Sequence, residues 1–297
     1  MTVINYNKLK SWEFPVLEHR YTVDDCMRYA LALGLGEDST NMEQLQFVND
    51  TTPGMPLAMP TLAVILGFPG SWMQDPATGI DFPKIVHGEE SIVLHHPLPA
   101  AGTVQAQHRV VSIVDKGQGR GATVTYDKEL TDKASGVLLA TVRHTTFARG
   151  DGGFSAGNGR TDASPPPLPK CPVGVPDKAI EIRTLAQQAL LYRLCADRNP
   201  LHSEPAVALE AGFPRPILHG LCTYGIACRA ILAAWCDSRP ERLRSLFARF
   251  TAPVFPGESI RIEMYADAAT SGAVAFRAIA LERGVTVLDA GRAEVAG

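Results

Sequence analysis

Residues 217–232 read ILHGLCTYGIACRAIL, an apolar run that continues to Trp235 and carries His219, Gly220 and Arg229 within it. Such residues argue for a helix buried in a protein interior rather than in a bilayer, where each would be costly. Pro216 stands just ahead, where a proline's missing NH costs a helix least. Downstream come the turn sequence Pro253-Val254-Phe255-Pro256-Gly257 and three stretches, 259–265, 273–281 and 285–294, that alternate apolar and polar residues between turn formers. They predict an antiparallel meander. A helix too apolar to face water, followed by such a meander, predicts a sheet wrapped around its own helix.

The same order occurs earlier in the chain. Residues 59–68, MPTLAVILGF, give a second apolar helix, the turn PLPAAG follows at 97–102, and strands are expected over 104–114, 122–130 and 136–147. A shorter amphipathic helix precedes each apolar one: 23–33 behind Thr22, with Val23, Met27, Tyr29, Ala30 and Leu33 on one face, and 185–195 behind Thr184. Both threonines are placed to cap. Between the halves lies GDGGFSAGNGRTDASPPPLPKCPVGVP, residues 150–176, too rich in Gly, Pro and Ser for either periodicity. This duplication predicts an α+β double hot dog: a unit over 1–149, a linker over 150–178 and a second unit over 179–297.

With 297 residues, 45% hydrophobic and 20% charged, the chain has the composition of a globular protein of one large or two moderate domains. A net charge of -3 without runs of like charge leaves no footprint for nucleic acid and no polybasic patch for a membrane surface. The six cysteines include no C-x-x-C pair, which argues against a disulfide framework or a zinc site. The opening MTVINYNKLKSWEF has no apolar core of a signal peptide, so a cytoplasmic protein is expected. Gly153-Phe154-Ser155-Ala156-Gly157 fits G-x-S-x-G but lies in the linker, without the strand and helix that a nucleophile elbow needs. Glycine-rich 117–121 joins two strands, so it reads as a hairpin turn and not a phosphate loop.

Residues 191–225, LYRLCADRNPLHSEPAVALEAGFPRPILHGLCTYG, concentrate polar groups where a helix ends against apolar sequence. Pro200 pushes Asn199 out of the α region, so the helix beginning near 185 should stop by about Arg198. Asp197, Asn199 and His202 then share one short loop, on which a carboxylate and an imidazole five residues apart can aim at one atom. Such a pair can take one proton and give another. The Gly220 NH, near the start of the long helix, lies at its positive end and can hold a developing oxyanion. The plainer alternative makes D-x-N-P a helix-ending turn in which Asp and Asn satisfy backbone groups, with His202 a surface loop residue and His219 a core histidine beside Pro216.

The stretch YRLCADRNPLH, followed by AGFPRPILHGLCTYG, resembles the signature of the MaoC-like (R)-specific enoyl-CoA hydratases, and particularly the hydratase 2 domain of peroxisomal multifunctional enzyme. The likeness extends to KIVHGEE at 84–90, PLPAAG at 97–102, VDKGQG at 114–119, GDGGF at 150–154 and ARFTAPVFPGE at 248–258, and so covers nearly the full chain. It implies a double hot dog whose second unit holds the catalytic residues. The first unit, with GLGEDSTN after its helix, has no D-x-N-P-x-H and leaves room for a long acyl tail.

The resemblance implies reversible hydration of a trans-2-enoyl-CoA to the (3R)-3-hydroxyacyl-CoA, a carbon-oxygen lyase reaction that needs no metal or organic cofactor. Asp197 and His202 would be the acid-base pair, Asn199 would orient the water, and the Gly220 NH would clamp the thioester. His87, Gly88, Lys116 and Phe250 would contact the ligand, with Arg198 beside the motif added to that set. Lys116 also makes sense by itself as a cation for CoA phosphates, although a hairpin-tip lysine is more often just solvated. A homodimer is implied as well. Ala196 stands where the family usually has Gly, and the terminal Glu-Val-Ala-Gly is no peroxisomal address, so a free-standing enzyme is expected. The rival readings are a hot-dog acyl-CoA thioesterase and a non-catalytic acyl-CoA binding module. Met55, Leu57, Met59, Trp72 and Met73 can line the tail pocket or pack the core, and core is the expectation for each.

Overall fold

A computed structural model describes residues 3–54, 56–157, 159–267 and 270–296; Met55 lies outside them. In chain order the strands are β1 (Leu17–Tyr21), β2 (Ile85–Leu94), β3 (Gly102–Asp115), β4 (Ala122–Asp132), β5 (Leu138–Ala148), β6 (Lys178–Arg183), β7 (Leu243–Phe250), β8 (Ser259–Ala266), β9 (Ala273–Ala280) and β10 (Val285–Val295). They form one antiparallel sheet in the order β1-β3-β4-β5-β2-β7-β10-β9-β8-β6. Read inward from either edge, the two halves follow the same permutation. They join where β2 pairs with β7, with Glu90 opposite Ala248 and Ile92 opposite Leu246. This is the double hot dog that the duplication predicts.

The helix Gly220–Trp235 is buried from Cys222 to Leu232 and packs on β6, β7, β8 and β10. Its Tyr224 hydroxyl donates to the Leu246 carbonyl at 2.7 Å, tying the helix to the strand at the seam. The counterpart in the first half is far shorter than the expected 59–68: only Leu62–Ile65 is helical. Gly67 ends it with φ of 63°, and a Cβ there would stand 2.3 Å from the Ala106 Cβ on β3. The buried Lys128 ammonium caps this turn, donating to the carbonyls of Ala63 at 2.8 Å, Val64 at 3.0 Å and Leu66 at 2.7 Å.

Thr22 caps the helix Val23–Ala32 in a reciprocal box with Asp25. Thr184 does not play that part. Its hydroxyl donates to the Glu258 carbonyl and accepts from the Gly257 NH, so it fastens the turn before β8, and the helix behind it shrinks from the expected 185–195 to Gln188–Tyr192. Residues 153–155 are pinned to the β3–β4 turn: Asp115 accepts from the NH groups of Gly117, Gly153 and Ser155 and from the Ser155 hydroxyl. Ser155 is therefore a structural ligand of Asp115 and no nucleophile elbow. All six cysteines are free thiols, and no helix among the described residues is long and apolar enough to cross a membrane.

Candidate active site

The D-R-N-P segment first builds its own loop. The Asp197 carboxylate accepts from the Asn199 NH at 2.9 Å, and the Asn199 side-chain oxygen accepts from the Leu201 NH at 3.0 Å, capping a single 3-10 turn, Pro200–His202, whose first residue is the proline. So far this is the plain helix-ending reading. The turn then carries His202 inward, where it is buried, while Asp197 and Asn199 stay exposed.

His202 Nδ1 lies 2.8 Å from the Ile217 carbonyl. A carbonyl can only accept, so Nδ1 carries the proton and Nε2 of the neutral ring keeps a lone pair. Burial lowers the pKa of His202, against smaller upward pulls from the Ile217 carbonyl and the Asp197 charge. The ring stacks on His219 with centroids 3.7 Å apart and planes 26° apart. His219 in turn donates from Nε2 to the Asp197 backbone carbonyl at 2.9 Å. One side-chain nitrogen or oxygen from each of Asp197, His202 and His219 lies within 4.8 Å of the other two. Burial, then the neighbouring His202, pushes the His219 pKa down to about 3, which keeps that ring neutral. His202 is thus no surface residue, and His219 ties the loop to the helix start.

Gly220 is the first residue of the long helix. The NH groups of Cys222 and Thr223 both return to the His219 carbonyl, at 3.1 and 3.2 Å, so the Gly220 NH precedes the first intrahelical bond. A Cβ at Gly220 would come within 3.1 Å of the Phe250 ring, which sits at the end of β7. The Phe250 ring lies 4.3 Å from that of His87 on β2, and His87 stacks at 3.9 Å on His144 of β5. Both histidines donate to one buried carboxylate oxygen of Glu90, from His87 Nε2 at 2.9 Å and His144 Nδ1 at 3.0 Å. Burial alone would raise Glu90; the two imidazoles overcome it and hold the carboxyl at about 2. Gly88 falls where the β2–β5 register slips between His87 and Glu89, a bulge that lets His87 and Glu90 meet. A Cβ there would stand 3.1 Å from the Thr145 carbonyl.

The structure therefore brings Asp197, Asn199, His202 and Gly220 to one place, with Phe250, His87 and Gly88 adjoining. Lys116, on the turn after β3, and Arg198, which follows Asp197 in the chain, are both exposed. The reading from sequence missed Glu90 and His144 and gave His219 only a packing role. The spacing of Glu90 behind His87 is a faint signal; His144 has none until the strands are paired. Of the apolar residues set aside, Met59 and Met73 are buried core, whereas Leu57 and Trp72 are partly exposed.

Residues 19–150 match the MFE-2 hydratase 2 N-terminal domain family, and 170–287 match the MaoC like domain family. The enoyl-CoA hydratase ChsH3 of Mycobacterium tuberculosis is 38% identical over 260 residues, spanning 86% of this chain and 87% of that protein. The 3-hydroxyacyl-thioester dehydratase Y of the same organism is 39% identical over 259 residues, spanning 86% of each. Among solved structures, the MaoC-like dehydratase from Phytophthora capsici superimposes with a TM-score of 0.85 at 30% identity, over 99% of both chains. Two family matches in tandem, one per half, and relatives aligned along most of their own length place this chain in the family of MaoC-like hydratase 2 enzymes.

Proposed function

We propose that the chain is an (R)-specific trans-2-enoyl-CoA hydratase, adding water reversibly to give the (3R)-3-hydroxyacyl-CoA. The observation that carries this reading is the placement of the buried His202, its Nε2 lone pair free, beside the Asp197 carboxylate and the first NH groups of a buried helix. Hydration needs a base for the water, an acid for the α-carbon and a donor for the thioester oxygen as charge builds there. His202 and Asp197 share the two proton transfers. The Gly220 NH stabilises the enolate-like oxygen. Asn199, whose carbonyl end is engaged by Leu201, keeps its NH2 group to orient the water.

Side chains and one helix terminus supply each of these roles, so the reaction as written calls on no cofactor. The unit over 179–297 is catalytic and that over 1–149 receives the acyl tail. Lys116 and Arg198, exposed cations, are assigned to the phosphates of CoA. The test is product analysis after incubation with crotonyl-CoA. Decay of the enoyl-thioester absorbance with formation of (3R)-hydroxybutyryl-CoA and without free thiol is expected. Thiol release would make the protein a thioesterase, and unchanged absorbance with bound ligand would make it a binding module.

A further inference from the structure

The concave face of the first half differs in chemistry from that of the second. Under the long helix the inward positions include Ile260, Ile262, Phe276, Ala278 and Ala280, all buried and apolar. In the first half, strand pairing sets Glu90 beside His144, His144 beside Tyr126, and Lys128 beside His108. The helix that would cover them is a single turn.

Phe250, His87, His144, Tyr126 and His108 stand on β7, β2, β5, β4 and β3, five successive strands of the sheet. Their ring centroids follow one another at 4.3, 3.9, 4.9 and 6.2 Å. The row begins against Gly220 and runs for four strand spacings, roughly 19 Å. Phe14 and Trp72, both partly exposed, cover its far end, Phe14 at 5.4 Å from the His108 ring and Trp72 at 5.7 Å from Tyr126.

His87 and His144 share Glu90, and Lys128 beside them commits its ammonium to three carbonyls. His108 is only 3% exposed, and neither of its ring nitrogens has a hydrogen-bond partner. Burying an imidazole in this way opposes folding unless something completes it.

We infer that the row is the track of the acyl tail, and that His108 at its end recognises a neutral hydrogen-bonding oxygen, hydroxyl or keto, on a long or ring-bearing tail. This rests on the hydratase reading. A neutral imidazole offers one donor and one acceptor, which a hydroxyl can meet from either side and a keto oxygen from the N–H side. A plain hydrocarbon leaves both nitrogens unpaired. A carboxylate is poorly served, because Lys128, the cation beside His108, is already engaged.

The experiment compares kcat/KM for three trans-2-enoyl-CoA thioesters of equal tail length, ending in methyl, hydroxyl and keto groups, with the native protein and with His108→Phe. The native protein should favour at least one oxygenated tail by about tenfold or more. His108→Phe should erase that preference and improve use of the methyl tail, with native circular dichroism confirming its fold. Equal efficiency on all three tails, or a preference that survives His108→Phe, overturns the inference. The native comparison decides alone should the variant not fold. Crotonyl-CoA, too short to reach His108, separates the two readings: hydration of neither it nor any of the three longer thioesters by the native protein sinks the hydratase assignment, whereas normal hydration of it with indifferent long tails sinks only the role of His108.

Discussion

At the scale of single residues, the site is built by groups that hold one another. His219 is the least obvious of them: it stacks on His202 and bonds the backbone of Asp197, touching both members of the pair without being one. His219→Phe should keep the stacking and lose the tether, lowering kcat about tenfold to a hundredfold with little change in KM. A changed KM with unchanged kcat would leave it a packing residue. Because burial lowers the His202 pKa, its lone pair survives below the ordinary imidazole value of 6.5, and the acid limb of the kcat profile should lie on the acid side of that value. An acid limb above 6.5 contradicts the assignment of His202 as the titrating base. Asp197, Asn199, His202 and Gly220 were legible in sequence because one stretch of 24 residues carries them all. His108, His144 and Glu90 were not, since they sit on three different strands and each acquires its partners, or lacks them, only through pairing register.

At the scale of elements, the two apolar helices that look alike in sequence part company in the fold. The run 59–68 has the apolar content of a helix, but Gly67 must lie close against Ala106 on β3, and the chain leaves the helix after one turn. Lys128 then satisfies the exposed carbonyls. Replacing it, Lys128→Met, leaves buried acceptors unpaired and should destabilise the fold by about 2 kcal/mol in urea unfolding. No loss would mean that the turn is capped by other groups. The meanders β3–β5 and β8–β10 were readable from alternation to within about two residues, as boundary frays allow. The outer strands β1 and β6 are short and charge-bearing edges. The bulge in β2 breaks its period where His87 and Glu89 slip, and these strands escaped the pattern for those reasons.

At the scale of the molecule, one continuous sheet with the same strand permutation in each half explains why repetition in the sequence was the strongest guide to the fold. Its buried histidines also set its response to acid. Burial, with neighbouring positive charge, lowers His87 and His108 to about 4, and His219 is lowered to about 3. The unfolded chain therefore binds more protons than the folded one from about pH 6.5 downward, and stability should fall steadily between pH 6.5 and 3. Glu90, held at about 2, adds to the loss below the ordinary carboxylate range. Urea titrations across this range should show the slope, and His108→Phe should flatten it; a stability independent of pH there would place these rings in contact with solvent. The central claim is tested most directly by single-turnover hydration of crotonyl-CoA by the native protein, Asp197→Asn and His202→Ala. Each substitution should reduce the rate by about 100-fold to 10,000-fold while crotonyl-CoA still binds, and native-like hydration by either variant would contradict the assignment of Asp197 and His202 as the acid-base pair.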